Sequence, residues 1–205
     1  MTGEDDWVDF QDVIRRRRMI RDYQDAPLKQ DVVERIVGHG PRAPSAGFSQ
    51  GWALLVLQAA VDRERFWQVA GEQDWLERHP TMRVAPLLVI PFSHKETYLD
   101  RYATPEQGWT DRDETRWPVP YWDIDTGMAA LLMLLSAVDA GLGACFFGIL
   151  PGQMAALRAA FGVPGEYTPI GAISVGYRHP DASQQSAGLT AARRPPEDMV
   201  HRGYW

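Results

Sequence analysis

The chain has 205 residues, 45% of them apolar, with eight tryptophans and a formal net charge of −6. That length and composition predict one folded domain with a sizeable core. The negative balance argues against nucleic-acid binding, which needs a positive field over the docking face. The single cysteine excludes an internal disulfide framework and any metal site built from several cysteines.

The acidic first ten residues lack the basic start and apolar run of a secretory signal. The most apolar stretch, 127–138, falls short of the roughly 20 residues that cross a bilayer. A cytoplasmic protein that does not enter the membrane is therefore expected. Residues 8–17 read as a helix, with Val8, Val13 and Ile14 apolar and arginines at the C-terminal end, where the dipole favours cations. Neighbouring positions on a helix diverge by about 100°, so at most two of Arg15, Arg16, Arg17 and Arg18 can face one site.

After Pro27, Leu28, Val32, Val33, Ile36 and Val37 recur at helical spacing until Gly38 and Gly40. Residues 43–51 form a small-residue turn, and 52–57 is a wholly apolar run that reads as an internal strand. A helix is expected over 62–78 and a second internal strand over 86–92. Residues 93–121 mix Tyr98, Tyr102, Trp109, Trp117 and Tyr121 with charged residues, Gly and Pro. A segment of that length and composition reads either as a cover over a site or as a surface excursion packed on its own rings.

Residues 123–140 make the strongest helix, with Asp123 and Asp125 at its N-terminal dipole and Gly141 past its end. Its centre is apolar all round, which predicts burial on every side and hence a homodimer. A third apolar run spans 143–149, an amphipathic helix 153–161 and a last strand 169–176, followed by a polar tail from residue 182. Helices alternating with about four apolar strands predict an α+β or α/β sandwich around a buried sheet.

Several chemistries lack their residues. No two histidines stand at i, i+4, and no Gly-x-Ser-x-Gly, Walker or Gly-x-Gly-x-x-Gly pattern is present. Cys145 has apolar neighbours that raise a thiol pKa and leave it inert. What remains is a set of arginines, a turn that admits close backbone approach, and abundant aromatic surface. That combination suits an anionic cofactor with a flat ring such as FMN.

The residues that carry a family likeness are Arg17-Arg18-Met19-Ile20-Arg21-Asp22-Tyr23, the block from Ala43-Pro44-Ser45-Ala46-Gly47-Phe48 to Trp52, Gly141-Leu142-Gly143-Ala144-Cys145-Phe146-Phe147-Gly148, Gly176-Tyr177 and Arg193-Arg194-Pro195. In that order they resemble the FMN-dependent nitroreductase superfamily over nearly the whole chain. The resemblance implies a single α+β domain over 1–205 with a central, mostly antiparallel sheet flanked by helices, in an intertwined homodimer. It also implies a variable lid at about 93–122 and a C-terminal extension at about 182–205.

By position, Arg17 with Arg193 or Arg194 would hold the FMN phosphate, with Arg18 and Met19 also in the site. Arg21 would lie near the pyrimidine edge of the ring. Pro44, Ser45, Ala46 and Phe48 would reach the flavin from the partner subunit, and backbone at Phe147, Gly148 and Ile149 would lie over the ring. Met19 stands where the family usually has Ser, Phe48 where it has Asn, and Gly51 where it has Pro. The implied activity passes hydride from NAD(P)H through FMN to a small aromatic or electron-poor acceptor, with no side-chain acid or base. A flavin-binding module without turnover and a branch using a deazaflavin are the alternatives.

Overall fold

The computed structural model describes residues 9–180 and 193–205. Five strands form one antiparallel sheet: β1 (Trp52–Leu57), β2 (Leu87–His94), β3 (Gly143–Phe147), β4 (Tyr167–Pro169) and β5 (Ala172–Gly176). Their order is β1-β2-β5-β3, with the short β4 paired to the end of β2. Alternate residues of a strand face opposite sides, and β2 shows what this builds. Leu88, Ile90 and Phe92 join Phe66, Trp67, Leu76 and Leu157 on one face, while Leu87 and Val89 join Val33, Ile36, Met133 and Ala137 on the other.

Helices α3 (Ala60–Ala70), α4 (Gln73–Arg78) and α7 (Met154–Phe161) supply the first of these faces, and α2 (Gln30–His39) and α6 (Tyr121–Asp139) the second. The short α1 (Phe10–Arg16) packs along α6, and α5 (Lys95–Tyr102) follows β2. Asp9 caps α1 by accepting from the Gln11 N–H at 2.9 Å, and Arg15 and Arg16 occupy its last turn. The α+β class and the antiparallel sheet flanked by helices agree with the resemblance.

Three expectations need correction, and one segment holds structure that its composition does not show. The run 52–57 is an edge strand, bonded to β2 alone. It is apolar because helices cover both its faces: Leu55 and Leu57 pack into one cluster, Leu54 and Val56 into the other. The helix expected over 62–78 is two helices. Its backbone turns extended at Gly71, where a Cβ would come 2.4 Å from the Trp67 carbonyl oxygen.

The long helix α6 is not buried all round, since Ile124 is 43% and Leu131 47% exposed. It ends as its sequence predicts, with Gly141 at φ 74° and the Leu142 N–H closing on the Ala137 carbonyl at 2.8 Å. Finally, residues 93–122 begin with the end of β2 and α5 before becoming irregular. Their rings pack on one another, Tyr102 and Trp109 lying 4.6 and 5.3 Å from Trp117 between centroids. On the outside, Lys95–Glu114 at 2.7 Å, Arg112–Asp100 at 3.0 Å and Arg112–Glu96 tie this excursion back to α5. Of the extension from residue 182, positions 182–192 lie outside the described residues.

Candidate functional site

The first block lies on the outer edge of β3. Met19 bridges Ala144, the Ile20 N–H donates to the Ala144 carbonyl at 2.9 Å, and the Phe146 N–H reaches the Met19 Sδ at 3.4 Å. Gly143 makes this crossing possible, because a Cβ there would stand 2.8 Å from the Ile20 side chain. Tyr23 locks the far end: its buried hydroxyl donates to the Ile20 carbonyl at 2.5 Å and lies 2.8 Å from the Ser174 Oγ.

Anchored in this way, the arginines separate by role. Arg15 and Arg16 pair with Asp12 at 2.9 and 3.6 Å, and these cations hold its carboxyl below the usual carboxylate range. Arg18 turns back to donate to the carbonyls of Arg15 and Arg17 at 2.6 and 2.8 Å, closing the helix end. Arg17 and Arg21 are half-buried and form no ion pair among the described residues. Among the described residues Arg21 makes a single hydrogen bond, a 3.4 Å contact with the Met19 carbonyl. Its charge reaches His79, whose pKa lies below the ordinary value because of burial first and Arg21 second.

At the end of β3 the Phe147 ring is held between two indoles, 5.6 Å from Trp67 and 5.3 Å from Trp75, with interplanar angles of 13° and 27°. Trp75 in turn meets the His79 ring at 5.3 Å. The ladder fixes the backbone of the next residues. Gly148 is exposed, with open space where a Cβ would be. Trp67, Glu72, Trp75, Phe147, Ile149 and Gln153 line a cavity of about 220 Å3 beside it. That is below the roughly 300–1,000 Å3 typical of a complete small-molecule site.

The second block lies elsewhere. It feeds β1, at the opposite edge of the sheet from β3, so one chain does not bring the two blocks together. Its turn, Ala46–Phe48, carries Gly47 and Phe48 at φ 58° and 55°, and Gln50 just beyond it stands at φ 52°. Pro44 is exposed, Ser45 and Ala46 half-buried, and Phe48 is 74% exposed.

Two residues missed by the sequence reading support this turn. The buried Asp125 accepts from the Ala46 N–H at 2.8 Å and from the Tyr98 hydroxyl at 2.9 Å through the same Oδ2. Burial, and then this carboxylate, push the Tyr98 pKa far up. Asp125 had a sufficient explanation in the helix dipole, and nothing local to it signals a partner 79 residues away.

In the tail, Arg193 and Arg194 are exposed, and Arg194 donates to the Asp198 carbonyl at 2.7 Å. No described contact joins either of them to the first block. Cys145 is buried, with its thiol pushed up to about 11 by that burial, which fits the expected inert role.

With this geometry in view, the comparisons are specific. A model of the nitroreductase family matches residues 14–177. A protein of Archaeoglobus fulgidus named as an NADH dehydrogenase/NAD(P)H nitroreductase is 25% identical over 195 residues, covering 94% of this chain and 97% of its own. The structure of Bacillus megaterium NfrA2 superposes with a TM-score of 0.74 at 19% identity, covering 96% of this chain and 74% of that one. A nitroreductase from Exiguobacterium sibiricum, solved in complex with FMN, superposes with a TM-score of 0.69 at 20% identity, covering 95% and 97%.

Proposed function

The chain belongs to the nitroreductase family and is an oxidoreductase, and from that premise we propose that it binds FMN and uses it to carry electrons from NAD(P)H to a small, electron-poor acceptor. The observation that carries this reading is the placing of two half-buried arginines on either side of the segment bonded to β3, neither of them paired with a carboxylate among the described residues. Arg17 and Arg21 flank Met19 and Ile20, which are bonded to Ala144 of β3, and both cations are half-buried. Such cations suit a phosphate and the negative pyrimidine edge of a reduced flavin. The neighbouring backbone fits as well, because Gly148 leaves room for a flat group against the main chain. The FMN complex of the Exiguobacterium protein supports the same choice of cofactor.

Bound FMN supplies hydride acceptance from a reduced nicotinamide and hydride donation to the acceptor. The chain's own residues do the rest. Arg17 holds the phosphate, Arg21 stabilises charge at the ring, and Trp67 and Trp75 clamp Phe147 so that the backbone of 147–149 keeps its place. The Met19 thioether, bonded to the Phe146 N–H, ties the cationic block to that same strand. Where the family usually has a hydroxyl, this chain keeps the strand contact and gives up a polar group.

The site is completed by a second copy. Ile124 and Leu131 of α6, with Phe10 at 64% and Ile14 at 47% exposure on the adjoining α1, leave apolar side chains open to solvent. A homodimer would cover them. The tail arginines, which make no described contact with the first block, would join the phosphate site within that assembly.

The test is direct. Purified protein should be yellow, or take up FMN, and the loaded protein should be bleached by NADH or NADPH under anaerobic conditions. Colourless protein with no affinity for FMN would falsify the reading, while loaded protein reduced by neither nicotinamide would leave a flavin-binding module or a deazaflavin-dependent branch. Arg17→Ala should weaken FMN binding by roughly 1.5–3 kcal/mol, the range for a hydrogen bond to a charged group. An unchanged dissociation constant would remove Arg17 from the phosphate site.

A further inference from the structure

Asp125 has no place in the chemistry described so far, yet it is 2% exposed and spends one oxygen on two donors from distant parts of the chain. A buried carboxylate persists only where hydrogen bonds replace its water. Here those bonds run to Tyr98 on α5 and to the backbone of Ala46. The turn beginning at Ala46 is the most strained backbone in the described chain, with Phe48 and Gln50 its only non-glycine residues at positive φ. Such conformations survive where their surroundings over-determine them, and they gather at binding sites.

The surroundings do so from every side. Arg101 Nε donates to the Gly47 carbonyl at 2.9 Å, and the Gln50 N–H donates to Ser45 Oγ at 3.0 Å. The Tyr102 ring lies 2.7 Å from where a Gly47 Cβ would be, and the Tyr98 ring 2.5 Å from where a Gly51 Cβ would be. The result is a rigid turn whose apex, Phe48, shows 74% of its surface to solvent.

We propose that Asp125 is a positioning residue for the cofactor: its carboxylate fixes the Ala46 N–H, and so holds the strained turn in the shape that presents Pro44, Ser45, Ala46 and Phe48 to the flavin. The inference rests on the flavin reading above. Asp125 does not touch the cofactor. It acts through the main chain, and the turn is set before the cofactor arrives, so binding need not supply the ordering of these residues.

The experiment measures the FMN dissociation constant by fluorescence quenching, with thermal unfolding of the apoprotein beside it. Asp125→Ala should raise the constant by about tenfold or more. Asp125→Asn keeps an oxygen for the Ala46 N–H and should stay within about threefold of the parent. Met133→Ala opens a cavity in the fully buried core face of α6. It should lower the unfolding temperature and leave FMN affinity within about threefold.

Parental affinity in folded Asp125→Ala overturns the inference, as does a Met133→Ala protein that loses FMN in step with its stability. Should Asp125→Ala fail to fold, Ala46→Pro decides. It deletes the same N–H at the first position of a helical turn, where proline is accepted; about tenfold weaker FMN binding supports the inference, and unchanged affinity sinks it. A parent that takes up no FMN overturns the flavin reading and this inference together, whereas a parent that binds FMN beside an unaffected Asp125→Ala overturns only the inference.

Discussion

Gly47 and Gln50 stand three residues apart with nearly the same φ, 58° and 52°, but with opposite relations to their surroundings. Gly47 has a ring pressed against its missing side chain, Tyr102 Cε2 lying 2.7 Å from the Cβ position, while Gln50 is exposed and bonds through its backbone, its N–H to Ser45 Oγ and its carbonyl to the Trp52 N–H. Gly47→Ala should therefore destabilise the protein by about 1–3 kcal/mol, from left-handed strain plus the clash. Gln50→Gly removes a side chain from an unfavourable conformation and keeps the bond to Ser45, so it should stabilise by up to about 1 kcal/mol. Urea unfolding of the two variants checks both signs. If Gln50→Gly loses stability instead, its side chain has a task that the backbone argument omits.

At the scale of elements, α6 joins the core to whatever lies outside it. Its buried side, through Ala130, Met133, Leu134 and Ala137, packs on α2 and the sheet. Leu131 faces away at 47% exposure, with Ile124 two turns earlier at 43%. A charge at Leu131 should leave the fold intact and break an assembly that buries this stripe. Leu131→Glu is thus expected to sediment as a folded monomer with FMN affinity reduced by more than about tenfold; a flavin-loaded dimer would move the interface elsewhere. The sequence reveals the helix and its apolar girth, and it reveals β1 as a strand to the residue.

What periodicity misses has physical causes. An edge strand covered on both faces reads like an internal one, as β1 does. A helix break such as Gly71 depends on how close another carbonyl lies. The helix α5 hides in a polar, aromatic segment of low apolar content. At the site, the order of Arg17 to Tyr23 and the glycines at 143 and 148 are legible because charge and missing Cβ atoms are written in residue type. The Asp125–Ala46 bond and the clamp of Trp67 and Trp75 on Phe147 are not, since each joins positions that only the sheet order brings together.

For the whole molecule, the sheet order β1-β2-β5-β3 puts the block feeding β1 and the block lying on β3 at opposite edges. Two such chains related by a two-fold axis can bring the block lying on β3 of one beside the block feeding β1 of the other, twice over. In the proposed dimer each flavin site would draw Arg17 from one chain and the turn at Ala46 from its partner. Mixing defective proteins separates this arrangement from one in which a single chain builds its own site. An Arg17→Ala protein and an Ala46→Pro protein, each poor at binding FMN, should recover binding when their subunits exchange. Free exchange of equal amounts gives about half heterodimers, each with one undamaged site and one doubly damaged, so about a quarter of the parental FMN capacity should return. If both groups served the flavin from the same chain, every site in the heterodimer would carry one defect and no capacity would return. The titration, read after verified subunit exchange, therefore reports which chain contributes which half of the site.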